Sequence, residues 1–232
     1  MKFTILSIAL VVVGLILLAC KRNESSQSSD TAQEIKRDKS FNPDLTPDSP
    51  TPFGYKCVWF VVKSADSEDV AKTFGLKSPI RCNWKSGIMG AYHGNIFVSP
   101  PVNGWIFIVG DELPTLDDPK RKKETEALLT TLSSKYGEAQ HYASHRIVGL
   151  ATWAKASGGK ILREYSYLGE TGEVLFSIGE KTKEEIDAGI KDGSDFFPSE
   201  EEVMNVAGKW SLNPQTLNKD SASPDIGWGG NL

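Results

Sequence analysis

The apolar positions of the chain divide it into parts with different patterns. An unbroken run of apolar and small residues covers residues 3–18, and a polar stretch with no repeating pattern follows it to residue 52. From residue 53 onward, short apolar runs alternate with turn-forming residues, as in a folded domain. The pattern therefore predicts a single domain over residues 53–214 and a flexible tail over residues 215–232.

The first half of the domain is predicted to consist mainly of strands. Residues 55–63 are rich in β-branched and aromatic side chains, which indicates a buried first strand. Ser67 favours the start of a short helix that Gly75 would end. Residues 105–109 are entirely apolar and follow a rigid Pro-Pro connection, as expected for a central strand. Further strands are predicted at residues 80–85, 88–92 and 96–98.

The second half is predicted to contain a long helix and a strand meander. Asp118 suits the N-cap of the helix and Gly137 suits its end. Its buried stripe is expected to be Ala127, Leu128, Leu132 and Tyr136. Period-two alternation predicts strands at residues 139–146, 150–155, 160–168 and 173–179, and their short links require antiparallel pairing. We therefore expect an α+β fold: a mainly antiparallel sheet with a C-terminal four-strand meander, one long helix and several short ones.

The start of the chain carries a targeting pattern. Lys2 precedes the apolar run, which closes on Leu17-Leu18-Ala19-Cys20. These residues resemble a bacterial lipoprotein signal peptide, residues 1–19, that ends in a lipobox. The resemblance implies that Cys20 carries diacylglycerol and palmitate, and that residues 20–52 are a disordered tether at the cell envelope. The alternative is an uncleaved transmembrane helix, because the apolar run is at the lower length limit of a bilayer span.

The charge of the chain indicates which partners to expect, and its cysteine content indicates a candidate disulfide. Lys and Arg total 26 against 30 Asp and Glu, which gives a formal net charge of −4. Without a basic excess, no nucleic-acid partner is expected. If Cys20 is lipidated, Cys57 and Cys82 remain as an even pair, which in an exported protein is a candidate disulfide. The alternative is two buried free thiols.

Residues that could carry catalysis or bind a metal are few. His141 and His145 form an HxxxH pattern, but on a strand they would lie about 13 Å apart along the chain. No metal site and no cofactor are therefore expected. The sequence also lacks a G-x-S-x-G motif. An envelope hydrolase with an unrecognised site stays open, and it would gather His93, His141 or His145 with carboxylates.

Aligning the predicted hairpins on their turns sorts the meander into two sides. The core side is expected to be Ala154, Ile161, Arg163, Tyr165, Tyr167, Val174, Phe176 and Ile178, and Arg163 would need a partner there. The other side is expected to be Trp153, Leu162, Glu164, Ser166 and Leu175. Either the long helix covers this side, or Trp153, Leu162 and Glu164 form a partner-binding patch.

Three blocks, residues 97–110, 144–173 and 208–217, resemble a family of uncharacterised bacterial proteins. The resemblance implies no catalytic residue. The anchor, the tether and the lack of a catalytic motif together indicate a membrane-anchored envelope lipoprotein that acts as a non-enzymatic binding module for a protein or cell-wall partner. The alternatives are an immunity lipoprotein that neutralises a periplasmic toxin, and the envelope hydrolase.

Overall fold

A computed structural model describes residues 41–191 and 196–232 of the chain. Internal contacts divide the chain into Met1–Asp38 and Lys39–Leu232, and the description below concerns the second unit. The predicted signal peptide and Cys20 lie outside the described residues, so the lipobox stays a prediction. Within the described part, no helix has both the length and the apolar character needed to cross a bilayer.

Nine strands form one sheet in which every neighbouring pair is antiparallel. The strands are β1 Cys57–Lys63, β2 Lys77–Asn83, β3 Ile96–Val98, β4 Trp105–Val109, β5 Glu138–His145, β6 Leu150–Ser157, β7 Lys160–Leu168, β8 Glu173–Ile178 and β9 Ile226–Asn231. Their order in the sheet is β2-β9-β3-β4-β1-β5-β6-β7-β8. The predicted α+β fold and the four-strand meander, β5 to β8, are confirmed.

Helices cover both faces of this sheet. They are α1 Ser67–Phe74, α2 Trp84–Ala91, α3 Lys122–Tyr136, α4 Lys183–Asp187 and α5 Glu200–Trp210, with a short 3-10 helix at Pro214–Thr216. Apolar residues of α1 and α3 pack on one face, and those of α2 and α5 pack on the other. β1 illustrates the result, since Phe60 points into the α1–α3 core and Trp59 into the α2–α5 core. Burial on both faces explains why β1 and β4 are continuous apolar runs.

The prediction of strands at residues 80–85 and 88–92 is wrong in part. β2 ends at Asn83, and a helix, α2, replaces the strand predicted at residues 88–92. The Asn83 side chain caps this helix by accepting a hydrogen bond from the Ser86 backbone N–H at 3.0 Å. Gly87 lies in close contact with the ring of Phe97, where an added Cβ would come within 2.2 Å of a ring carbon. A short apolar run does not separate a helix from a strand, because its period cannot be read over so few residues.

The long helix α3 starts later than predicted. Asp118 belongs to a turn before the helix, where its side chain accepts a hydrogen bond from the Lys120 N–H at 2.9 Å. Gly137 ends the helix as predicted. Its buried residues are Thr125, Leu129, Leu132 and Ser133, whereas the predicted Ala127 is exposed.

Both ends of the domain extend beyond the predicted boundaries. The Asp44 carbonyl accepts a hydrogen bond from the Asn83 N–H at 2.7 Å, so the end of the predicted tether is part of the fold. The predicted flexible tail contains β9, which pairs with both β2 and β3 inside the sheet. Its glycines permit close packing: a Cβ on Gly227 would lie 2.3 Å from the Val98 carbonyl oxygen, and one on Gly229 would lie 2.5 Å from the Phe41 ring.

Candidate functional site

The two cysteines of the domain do not form the predicted disulfide. Cys57 on β1 and Cys82 on β2 are both buried free thiols. β4, β3 and β9 lie between their strands, a separation of about 19 Å at the usual strand spacing, whereas a disulfide needs Cα atoms within about 7 Å. Burial raises the pKa of each thiol to about 12, so both behave as packed apolar side chains rather than nucleophiles.

The predicted patch of Trp153, Leu162 and Glu164 is also wrong. The pairing of β6 with β7 shifts register between Lys155 and Ala156, and this bulge moves Trp153 to the same face as Tyr165. The two rings stack with their centroids 4.4 Å apart. Trp153 and Glu164 are buried on opposite faces, and only Leu162 is exposed, at 50%. The long helix α3 covers the face of Glu164 but not that of Trp153.

Arg163 has the carboxylate partner that its burial requires. Its Nε donates to both carboxylate oxygens of Glu185 on α4, at 3.0 and 3.1 Å. The Trp153 indole N–H donates to the same carboxylate at 2.8 Å. The Thr182 N–H donates to it as well, at 2.8 Å, as part of the capping box of α4. This network attaches α4 to the meander, so its polar groups have a structural role.

The three histidines are not gathered into one site. His141 is fully buried against the Phe60 ring, and burial lowers its pKa to about 3. His93 is exposed, and its Nδ1 contacts the Met89 carbonyl oxygen at 2.7 Å. His145, at the end of β5, is only partly buried. Across residues 41–191 and 196–232, no group of three or more His, Cys, Asp or Glu side chains could hold a metal ion.

The structure instead contains an open cavity of about 480 Å³ at one end of the meander. We call it the cleft. The β5–β6 turn, the end of β7 and the start of α5 supply most of its walls. Its lining residues are Tyr55, Arg146, Gly149, Leu150, Tyr167, Gly169, Phe197, Pro198, Ser199, Glu200 and Glu201.

Aromatic side chains form the apolar part of the cleft. The rings of Tyr167 and Phe197 lie with their centroids 6.3 Å apart. Phe197 is 65% exposed and Tyr55 is 37% exposed, so both rings face solvent at the opening. The backbones at Gly149 and Gly169 are in close contact in the lining of the cleft, where a Cβ on Gly149 would lie 2.8 Å from the Gly169 Cα. The two turns meet this closely because neither residue has a side chain.

The charged side chains that line the cleft are those of Arg146, Glu200 and Glu201. Glu200 is buried at the start of α5, and its Oε1 accepts hydrogen bonds from the Lys56 N–H at 2.7 Å and the Ser144 hydroxyl at 2.9 Å. Arg146 is exposed at the rim and makes no ion pair with any residue that the structure describes. The cleft therefore offers aromatic surface beside a guanidinium to which no described carboxylate is bound.

Sequence analysis assigned no binding or catalytic role to any residue that lines the cleft, although it named Tyr167 as a core residue. The lining residues come from four separate stretches of the chain, and only the fold brings them together. The one sequence signal was Phe197, an aromatic residue in a polar loop directly before the Ser199–Glu202 capping box. Comparison of the chain with protein-family models, with curated proteins and with solved structures found no match in any of the three.

Proposed function

We propose that the chain is a lipid-anchored protein of the cell envelope whose folded domain binds a protein partner and carries out no catalysis. The lipobox residues Leu17 to Cys20 support the anchor, and the polar residues that follow support a tether between anchor and domain. The observation that carries the binding role is the cleft, whose exposed aromatic rings lie beside Arg146, a cation with no ion-pair partner among residues 41–191 and 196–232.

The composition of the cleft favours a protein partner. Tyr and Arg are the residue types, with Trp, that most often carry the binding energy of protein interfaces. Phe197 and Tyr55 offer apolar surface that is already exposed, and Arg146 offers a cation without a partner in the described part of the chain. A partner that places an apolar side chain between the two rings and a carboxylate beside Arg146 would satisfy both groups.

The hydroxyl and carboxylate groups near the cleft support binding rather than catalysis. The Ser199 hydroxyl donates to Glu202 at 2.7 Å within the capping box of α5. The Ser144 hydroxyl donates to Glu200 at 2.9 Å and so links β5 to α5. Each pair already has a role in the fold. None of the described residues that line the cleft is a histidine, so these residues do not form a Ser–His pair.

Photocrosslinking in intact cells tests this proposal. The full-length chain would carry benzoylphenylalanine in place of Phe197, and captured proteins would be identified by mass spectrometry. We expect one dominant protein adduct, which Arg146→Glu reduces roughly tenfold by reversing the charge at the rim. Ile147→Ala is the matched control, since Ile147 adjoins Arg146 and is 73% exposed but does not line the cleft.

The outcome also separates the candidate roles. A captured toxin would identify an immunity lipoprotein, and a resident envelope protein would identify a housekeeping role. Equal adduct yields from Arg146→Glu and Ile147→Ala would contradict a binding role for the cleft.

A further inference from the structure

β8 is one edge of the sheet, and its outer side has no neighbouring strand among the described residues. The strand reads Glu-Val-Leu-Phe-Ser-Ile, and it exposes apolar side chains on both faces. Val174 is 50% exposed, Leu175 38% and Ile178 50%. An edge of this kind presents unpaired backbone N–H and C=O groups that another strand can use.

The opposite edge of the sheet, β2, is protected. Pro79 has no N–H to offer, and Ser78 has a φ of +48°, a conformation that interrupts a regular strand. The pairing of β2 with β9 shifts register between Lys77 and Ile80. Lys77 and Arg81 add charge along the same strand. β8 has no proline, lysine or arginine, so the two edges of one sheet differ in whether they resist strand addition.

Acidic side chains flank the apolar edge of β8. Glu170 precedes the strand, Glu173 is its first residue and Glu180 follows it. All three side chains are exposed. None of them forms an ion pair with a described residue. A second copy pairing antiparallel about a two-fold axis would bring the Glu173 end of one strand to the Glu180 end of the other, and like charges across a strand pair are destabilising. A segment with basic flanks is the complementary partner.

We propose that the β8 edge binds an extended apolar segment of a partner protein, flanked by Lys or Arg, as a tenth strand of the sheet. Main-chain hydrogen bonds to β8 supply the affinity in this mode of recognition, and alternate side chains supply the specificity. The apolar side chains of the segment pack on Val174, Leu175 and Ile178, and its basic ends pair with the three glutamates. The edge is not part of the cleft lining, so this inference stands whether or not the cleft binds a protein.

A synthetic peptide tests the edge directly on the full-length chain in detergent micelles. The probe is a fluorescent peptide of sequence Lys-Lys-Val-Thr-Val-Thr-Val-Lys-Lys, and binding is measured by fluorescence anisotropy. Its matched control has the same side chains with alternate backbone amides N-methylated. We expect the control to bind at least about tenfold more weakly, because it cannot complete a strand ladder. Hydrogen exchange of the β8 amides should slow when the unmethylated peptide is bound.

Charge-reversed variants complete the test. Glu173→Lys with Glu180→Lys should weaken peptide binding about tenfold at low salt. Glu68→Lys with Asp220→Lys changes the net charge equally at exposed sites away from β8, and it should bind the peptide as the parent chain does. Equal binding of the two peptides would overturn the proposal. Protection of the β8 amides without peptide would also overturn it, because the chain itself, in one copy or two, would then cover the edge.

Discussion

Arg163 and Glu185 form an ion pair that is almost completely removed from solvent, with 2% and 0% of their side chains exposed. Two hydrogen bonds join the guanidinium to the carboxylate. The Trp153 indole N–H and the Thr182 backbone N–H also donate hydrogen bonds to this carboxylate. A buried charge is stable only while its partners remain. This residue pair therefore holds α4 against the meander.

Glu185→Gln should destabilise the fold by about 3 kcal/mol or more, because it leaves the buried Arg163 guanidinium without a counter-charge. The free energy of unfolding from urea titration checks this. Asp187→Asn on the same helix is the control: its ion pair with Lys183 is exposed, so the midpoint should not change. Equal midpoints for the two variants would show that the buried pair contributes no more than a surface pair.

His141 should make the protein sensitive to acid. It is buried with the Lys122 charge and the Pro114 carbonyl near it, and burial lowers its pKa from 6.5 to about 3. The unfolded chain binds a proton below pH 6.5 while the folded chain does not, so stability falls as the pH drops from 6.5 towards 3. The loss between pH 7 and pH 5 is about 2 kcal/mol from this residue.

Replacing His141 by Gln removes that titration. The unfolding free energy of His141→Gln should fall by about 2 kcal/mol less between pH 7 and pH 5 than that of the parent chain. His93→Gln is the control, because His93 is exposed. Parallel pH profiles for the parent and His141→Gln would mean that His141 gains a proton in the folded state.

At the scale of elements, the sequence predicted those strands and helices whose signal is strong within a single segment. β1 and β4 are apolar without interruption, α1 and α3 end at Gly75 and Gly137, and Ser199 with Glu202 caps α5. The errors occur where tertiary contacts decide. α2 depends on packing against Phe97, and the faces of the meander depend on one bulge in the pairing of β6 with β7. No local pattern encodes either.

β9 is the element whose removal should cost the most. It pairs with β2 on one side and β3 on the other, so its loss would detach β2 from the sheet and leave one side of the buried β3 unpaired. Deleting residues 226–232 should abolish cooperative unfolding, measured by circular dichroism and intrinsic fluorescence. Deleting only Leu232, which is 39% exposed, should leave the melting temperature unchanged. A cooperative transition in the variant that lacks residues 226–232 would show that the fold does not require β9.

At the scale of the whole molecule, the membrane attachment that we propose would depend on Cys20. The wild-type chain should partition into detergent and label with palmitate, because more than one acyl chain gives stable anchoring. Cys20→Ala should accumulate as an unlipidated precursor, and Cys57→Ala is the control, since that thiol is buried in the folded domain. Equal palmitate labelling of Cys20→Ala and the parent chain would contradict the lipobox prediction.

The position of β9 in the sheet has a consequence for biosynthesis. β9 fills the gap between β2 and β3, so the sheet stays incomplete until residues 226–231 have been synthesised. Contacts between segments so far apart in sequence form slowly, because a long loop must close first. In the exported protein that we propose, this delay would keep the nascent chain unfolded while it passes through a translocation channel, and the sheet would be completed only on the far side of the membrane.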